Sequence, residues 1–381
     1  MSKRGRTSER IPLSVPTLEA SAWSYVKDCL DTGWVSSAGK YVTRFEESVA
    51  EYTGASHAVA VCSGTAALHL AYLVAGVSPG DTVLVPTLTF IATVNPVTYL
   101  GAKPFFVDVD ARTWNVSAET LAAALQQARK AGLRPRHAVV THLYGVPADM
   151  APIMELCERE GLTLIEDAAE SLGSFYRGAH TGTFGRVAAL SFNGNKIITT
   201  GGGGMILTGD AVLAKRARHL STQARPNAEV YAHDDVGFNY RLTNLQAALG
   251  VSQMESLPRF RDRRREIQKH YLEAFARENW LVPQAQPQGV ESNGWLFGVS
   301  INSASLTRDQ ALAALAEVNI EARPVFQPIH EQPMYRGTEA RCPVAESVSR
   351  VALNLPNSPG ISETAVSDVM LTLGKVPASA V

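Results

Sequence analysis

Lys196 follows the segment SFNGN and precedes IITTGGGG, so its amine sits at a strand-to-loop junction among small and apolar residues. A lysine in such a setting can lose its proton and attack a carbonyl carbon. Asp167, 29 positions earlier, ends the apolar run LTLIED. A carboxylate there has to be paired or hydrogen-bonded, because burying it alone is costly. Ser63-Gly64-Thr65 follows another apolar run and opens a helical stretch. Backbone N–H groups and the helix dipole at such a turn favour a phosphate. Each residue set also has an ordinary reading: a surface lysine, a structural carboxylate, a helix cap. Together they are the three contacts that pyridoxal 5'-phosphate needs, namely a phosphate cradle, an acid facing the pyridine nitrogen and an amine for the aldehyde.

Those residues need a frame that brings them together. Short runs rich in Val, Ile, Leu and Phe at 58–63, 82–86, 103–109, 138–145 and 162–167 read as buried strands. Helical stretches at 66–75, 118–131 and 150–160 lie between them. This βαβ alternation predicts an α/β protein with a mainly parallel sheet, whose ligands bind beyond the carboxyl ends of the strands. Runs at 188–194 and 204–209 add two strands flanking a glycine run. Two helices are expected at 243–257 and 259–278, broken at Pro258. The second starts with Arg259, Arg261, Arg263, Arg264 and Arg265, which fit a solvated helix face better than a phosphate site. A smaller α/β unit follows, giving a large domain over 1–258 and a small one over 259–381.

Composition excludes several classes. The 381 residues hold 35 Lys+Arg and 36 Asp+Glu, without the basic excess of a nucleic-acid binder. The 4 cysteines are widely spaced, so no metal site is expected and reduced thiols in a cytoplasmic protein are. The longest apolar stretch is interrupted by polar residues and does not read as a membrane span. Residues 1–10, MSKRGRTSER, read as a flexible basic tail. Neither GxxxxGK[ST] nor a strand-borne GxGxxG is present, which removes the main support for an NAD-dependent oxidoreductase.

The segments GWVSSAGKYVTRFEE, SGTAALHL, VPTLTFIATVNPV, HLYGVPADM, EDAAESLGS, SFNGNKIITTGGGGM, GFNYRLTNLQAALG and EARPVFQPIH resemble the DegT/StrS family of nucleotide-sugar aminotransferases, in the family's order. The resemblance implies the fold type I architecture of pyridoxal phosphate enzymes. It makes Lys196 the residue that links to the cofactor and carries the proton, Asp167 the partner of the pyridine nitrogen, and Glu170 a neighbour of the ring hydroxyl. Many relatives have Gln at that last position. Gly64, Thr65 and Ser191 would hold the phosphate, with Asn193 assisting and Asn239 reaching in from a second subunit, which implies a homodimer with composite sites. Phe90 takes the place of an aromatic stacked on the ring, the other reading being a core phenylalanine. Arg241, His142 and His330 would approach the substrate, although either histidine can equally be structural. Tyr144 shares the turn of His142 and has a packing reading.

The implied reaction is a two-stage transfer: L-glutamate loads the cofactor with an amino group, which then passes to a nucleotide-linked 4-keto-6-deoxy sugar for cell-surface glycans. Sugar dehydratases of the family carry histidine in place of the lysine, so Lys196 points to amine transfer. SFNGNKIITTGGGGM is most similar to the branch acting on UDP-2-acetamido-4-keto-6-deoxyhexoses. Gly202 stands where GDP-perosamine synthases often have Glu, which ranks GDP-4-keto-6-deoxymannose second. A non-catalytic cofactor-binding regulator on the same fold is the reading from another class, and the intact pair of Lys196 and Asp167 argues against it.

Overall fold

A run of Val, Ile and Leu buried on both faces can satisfy its backbone only through neighbouring strands, and these runs pair accordingly. The structure, a computed structural model, describes residues 10–226, 231–276, 278–337 and 340–374. In chain order its first strands are β1 (His57–Val61), β2 (Thr82–Pro86), β3 (Lys103–Val107), β4 (His137–Thr141), β5 (Thr163–Asp167), β6 (Phe175–Tyr176), β7 (Ala179–His180), β8 (Val187–Ser191) and β9 (Gly204–Thr208). Seven of them form one sheet in the order β1-β9-β8-β5-β4-β2-β3. Only β9 runs antiparallel to its neighbours, so the sheet is mainly parallel, as the alternation predicts. The helices Gly64–Val74, Ala118–Lys130, Met150–Glu160 and Ala211–Ser221 pack against it. The carboxyl ends of β1, β2, β4, β5 and β8 therefore share one edge, where the residues after each run converge.

The smaller unit holds β10 (Leu281–Pro283), β12 (Phe297–Ile301), β13 (Arg323–Pro324) and β14 (Ala352–Leu355) in an antiparallel sheet ordered β10-β12-β14-β13, while β11 (Val290–Glu291) pairs with β6. Its core is aromatic: Tyr271 and Phe297 stack at 5.0 Å and 9°. Ile11 joins this core through a parallel bridge to Ile320, so the start of the described chain is tied to its C-terminal unit. The expected tail falls on residues 1–9, outside the described residues, and on Arg10, which pairs with Glu321 at 2.9 Å. The four cysteines are free. No helix among the described residues is long and apolar enough to cross a membrane.

The break at Pro258 needs correction. One helix, Asn244–Phe275, runs through it. Proline inside a helix costs about 3 kcal/mol through its missing N–H and its clash with the preceding turn. Here the proline faces outward, and the buried Met254, Leu257 and Phe260 hold the helix to the large core on both sides of it. Further along, Ile267, Tyr271 and Phe275 belong to the second core. The helix is thus shared by both units, and the expected boundary at 258/259 lies inside it. Of the arginines that follow Pro258, Arg259 pairs with Glu19, Arg263 with Glu266 and Arg265 with Glu291, but Arg264 departs from the expected solvated face: it is buried and donates to the Trp295 and Asn357 carbonyls.

Candidate active site

The convergent edge opens into a cavity of about 620 Å³ lined by residues from both units. Its phosphate end is built by β1 and the helix after it. The Ser63 hydroxyl accepts the Ala66 N–H at 3.1 Å and caps the helix, leaving the first-turn N–H groups of Gly64 and Thr65 among those a helix cannot satisfy internally. Ser191, at the end of β8, lies directly beside this turn. A Cβ added to Gly64 would stand 2.7 Å from the Ser191 Cβ and 2.8 Å from its Oγ, so only glycine lets the hydroxyl come this close to the helix start. Gly204 is required for the same kind of reason, since its Cβ would collide with the Ser63 carbonyl. Gly64→Ala is expected to weaken pyridoxal phosphate binding about tenfold or more by overpacking the cradle. A fluorescence titration that finds wild-type affinity in a folded variant would remove the cradle assignment.

Asp167 ends β5 at the centre of the sheet and is buried. The Thr93 hydroxyl donates to its Oδ2 at 2.6 Å and the Ala169 N–H to its Oδ1 at 3.1 Å. Burial nevertheless leaves its carboxyl above the ordinary range, since the pull of Thr93, Ala169 and Lys196 is smaller. Glu170 is also raised by burial, against Lys196 and the Tyr144 N–H, which donates to Oε2 at 2.7 Å. Tyr144 holds a left-handed backbone, φ 58°, while fully buried. That uncommon conformation belongs to the turn that aims its N–H at Glu170.

Lys196 brings the set together. Its Nζ donates to Glu170 Oε1 at 3.4 Å and sits 4.1 Å from the centroid of Trp295. The carbonyl of Asn195, just before it, accepts the Trp295 indole N–H at 2.7 Å and the Ser14 hydroxyl at 3.1 Å, which pins the backbone that carries the lysine. Gly64, Thr65, Phe90, His142, Tyr144, Asp167, Glu170, Ser191, Asn193 and Lys196 all line the cavity. The residues match the group that the sequence suggested: a glycine-dependent anion cradle, a buried acid held by a hydroxyl, and a shielded amine.

The sequence pattern of the DegT/DnrJ/EryC1/StrS aminotransferase family matches residues 16–374. The chain belongs to this family. Among its relatives are two proteins named GDP-perosamine synthase. That of Escherichia coli O157:H7 is 41% identical over 93% of this chain and 95% of its own length. That of Caulobacter vibrioides is also 41% identical, over 96% and 98%. A solved DegT/DnrJ/EryC1/StrS aminotransferase from Brucella abortus superposes with a TM-score of 0.87 at 31% identity, covering 93% of this chain and 94% of that one. This DegT-family chain is accordingly a pyridoxal phosphate-dependent aminotransferase of fold type I.

Other expected contacts sort differently. Phe90 is 54% exposed and tilts against Phe326 at 5.7 Å, so it forms cavity wall rather than core. His142 lines the cavity, but both ring nitrogens are committed: Nδ1 accepts the Ala148 N–H at 3.1 Å and Nε2 faces Glu166 at 3.0 Å. Burial raises Glu166, but bonds from His142, Gly185 and Gly182 outweigh it and leave that carboxyl lowered. Arg241 and His330 are not among the residues lining the cavity. Arg241 pairs with Glu46 at 3.3 Å, and burial lowers its pKa. His330 bonds Thr87 at 2.6 Å and approaches Glu346 at 3.3 Å. Asn239 is exposed, bridges to Thr222 and is not among the residues lining this chain's cavity. Thr93, Trp295, Phe326 and Asn354 complete the site without having been singled out in the sequence. Of these, Thr93 in VPTLTFIATVNPV and Phe326 in EARPVFQPIH lay inside segments that carried a signal, whereas Trp295 and Asn354 did not.

Proposed function

We propose that this aminotransferase moves the amino group of L-glutamate to the keto carbon of a nucleotide-linked 4-keto-6-deoxyhexose, with the GDP-linked sugar as first candidate. The observation that carries the reading is the shielded amine of Lys196, 3.4 Å from Glu170 and in the same cavity as Asp167 and the Gly64 cradle. Pyridoxal phosphate, when bound, supplies an aldehyde carbon to take up the amino group and a ring that spreads negative charge. Asp167, fixed by Thr93, would face the ring nitrogen and favour a proton there. Lys196 Nζ takes the proton from the α-carbon of the donor and, in the second stage, delivers one to the sugar carbon. Glu170 steadies that amine, and its raised pKa suits it to hold a proton beside it. Phe90, Tyr144, Trp295 and Phe326 form an apolar wall that excludes water and suits the face of a sugar ring.

The names of the 41% identical relatives support the GDP-linked acceptor. Gly202, which lines the cavity, supports a UDP-linked 2-acetamido sugar as the second reading, because a glycine there adds no carboxylate. Assay of the glutamate-loaded enzyme against GDP-, UDP- and dTDP-linked 4-keto sugars decides between them. Amination of none of the three, by an enzyme that glutamate has visibly converted, would leave the proposal without its acceptor.

Asn239 supports a homodimer with shared sites, since it is exposed on the chain that carries it. Mixing Lys196→Ala with Asn239→Ala subunits is expected to restore up to about a quarter of wild-type activity, the share from mixed dimers whose one intact site lacks both changes. Activity no higher than that of the separate variants would place Asn239 outside the partner's site.

A further inference from the structure

We infer that Arg323 grips the diphosphate of the sugar nucleotide and that Glu321 is its positioning residue. This rests on the acceptor class proposed above. Among the described residues that line the cavity, Lys196 and Arg323 are the cationic side chains. Lys196 lies at the floor, its side chain 13% exposed and opposed to Glu170, whereas the Arg323 side chain is 67% exposed. The floor is the place of bond making. The mouth meets the part of a long ligand that extends away from the reacting carbon, which in a sugar nucleotide is the diphosphate.

Backbone geometry holds the guanidinium there. Arg323 lies on β13, the edge of the smaller sheet, directly opposite Asn354 of β14. Opposed residues of an antiparallel pair project from the same face. Asn354 is buried and lines the cavity, so the pairing turns Arg323 toward the same space. Phe326, on the same segment, tilts against Tyr144 at 5.2 Å and against Phe90, so this segment also supplies part of the cavity's aromatic lining.

Glu321 shapes the donor set. Its Oε1 accepts from Arg323 Nη2 at 2.8 Å and from Nε at 3.1 Å, while Oε2 accepts from Arg10 at 2.9 Å. Two of the five guanidinium N–H groups are thereby used and the side chain is held by its edge, leaving Nη1 for phosphate oxygens. Glu321 is shared between Arg10 and Arg323, so its single charge does not neutralise both guanidinium groups. An exposed pair of this kind contributes little to folding.

The test uses holoenzyme carrying Arg323→Gln, Arg323→Lys or Glu321→Gln. For Arg323→Gln, KM for the keto-sugar nucleotide is expected to rise about 10- to 100-fold, with kcat falling less than about threefold. The rate of conversion by glutamate alone is expected to change far less than that KM. Lysine should recover part of the loss, and Glu321→Gln should raise KM by a smaller factor. The dependence of KM on ionic strength should flatten in Arg323→Gln. Binding of free GDP and UDP, measured by calorimetry, should weaken in parallel. Unchanged KM and nucleoside diphosphate affinity, or a defect confined to the glutamate stage, would overturn the assignment. Should wild type aminate no keto-sugar nucleotide, the acceptor class falls, while the calorimetric comparison still reports on Arg323.

Discussion

Turnover by Lys196→Ala is expected to fall about ten-thousandfold or more, with the fold intact. In the role proposed above the residue would supply both a nucleophile and the acid and base of each half-reaction, and the loss of groups acting as one unit reaches this size. Its structural role is small: one bond of 3.4 Å to Glu170 and the contact with Trp295. The Asn195 carbonyl that anchors the loop is held by Trp295 and Ser14, not by the lysine side chain. The variant should therefore melt within a few degrees of wild type and still bind pyridoxal phosphate through the cradle and Asp167. Steady-state assays and absorbance spectra check both halves, and substantial retained turnover would move the proton transfer to another group. Glu170, which loses its cation in this variant, should be raised further.

Asp167→Asn is expected to lower kcat about a hundredfold and to weaken cofactor binding about tenfold or more, because the carboxylate proposed to face the ring nitrogen is replaced by a neutral amide. A pH signature separates this role from a packing role. Burial holds the Asp167 carboxyl above its ordinary value despite Thr93 and Ala169. A carboxyl whose folded pKa is raised contributes stability that is fully present below its ordinary value and lost as pH rises through the folded one. The cofactor-free wild type should thus lose melting temperature relative to Asp167→Asn as pH climbs through and above the carboxylate range. With cofactor bound the order should reverse at neutral pH, since the charged carboxylate then meets a protonated nitrogen. Curves that run parallel for both proteins at every pH would show that Asp167 does not carry this charge.

Much of the frame and the centre of the site could be read from order along the chain. Lys196, Asp167 and Ser63-Gly64-Thr65 each follow or end an apolar run, and a parallel sheet sends such ends to one edge whatever the details of packing. Pro258 shows where local rules stop. Its helix-breaking preference is real, but Met254, Leu257 and Phe260 bury enough surface around it to carry the helix through.

Partner choice is the other limit. Arg241 and His330 are chemically fit for a substrate pocket, and no local feature reveals that Glu46, distant in sequence, holds the first or that Thr87 and Glu346 hold the second. Trp295 beneath Lys196, Thr93 on Asp167 and Arg323 at the mouth are likewise long-range pairings. The sequence by itself determined the alternating α/β pattern and that Asp167, Lys196 and the Ser63-Gly64-Thr65 turn would meet at one edge of the sheet, because this follows from periodicity and from which residues end a buried run. Only the tertiary structure decided which polar side chains are committed to one another and which face the cavity, because that depends on contacts between segments whose separation in the chain carries no signal of their meeting.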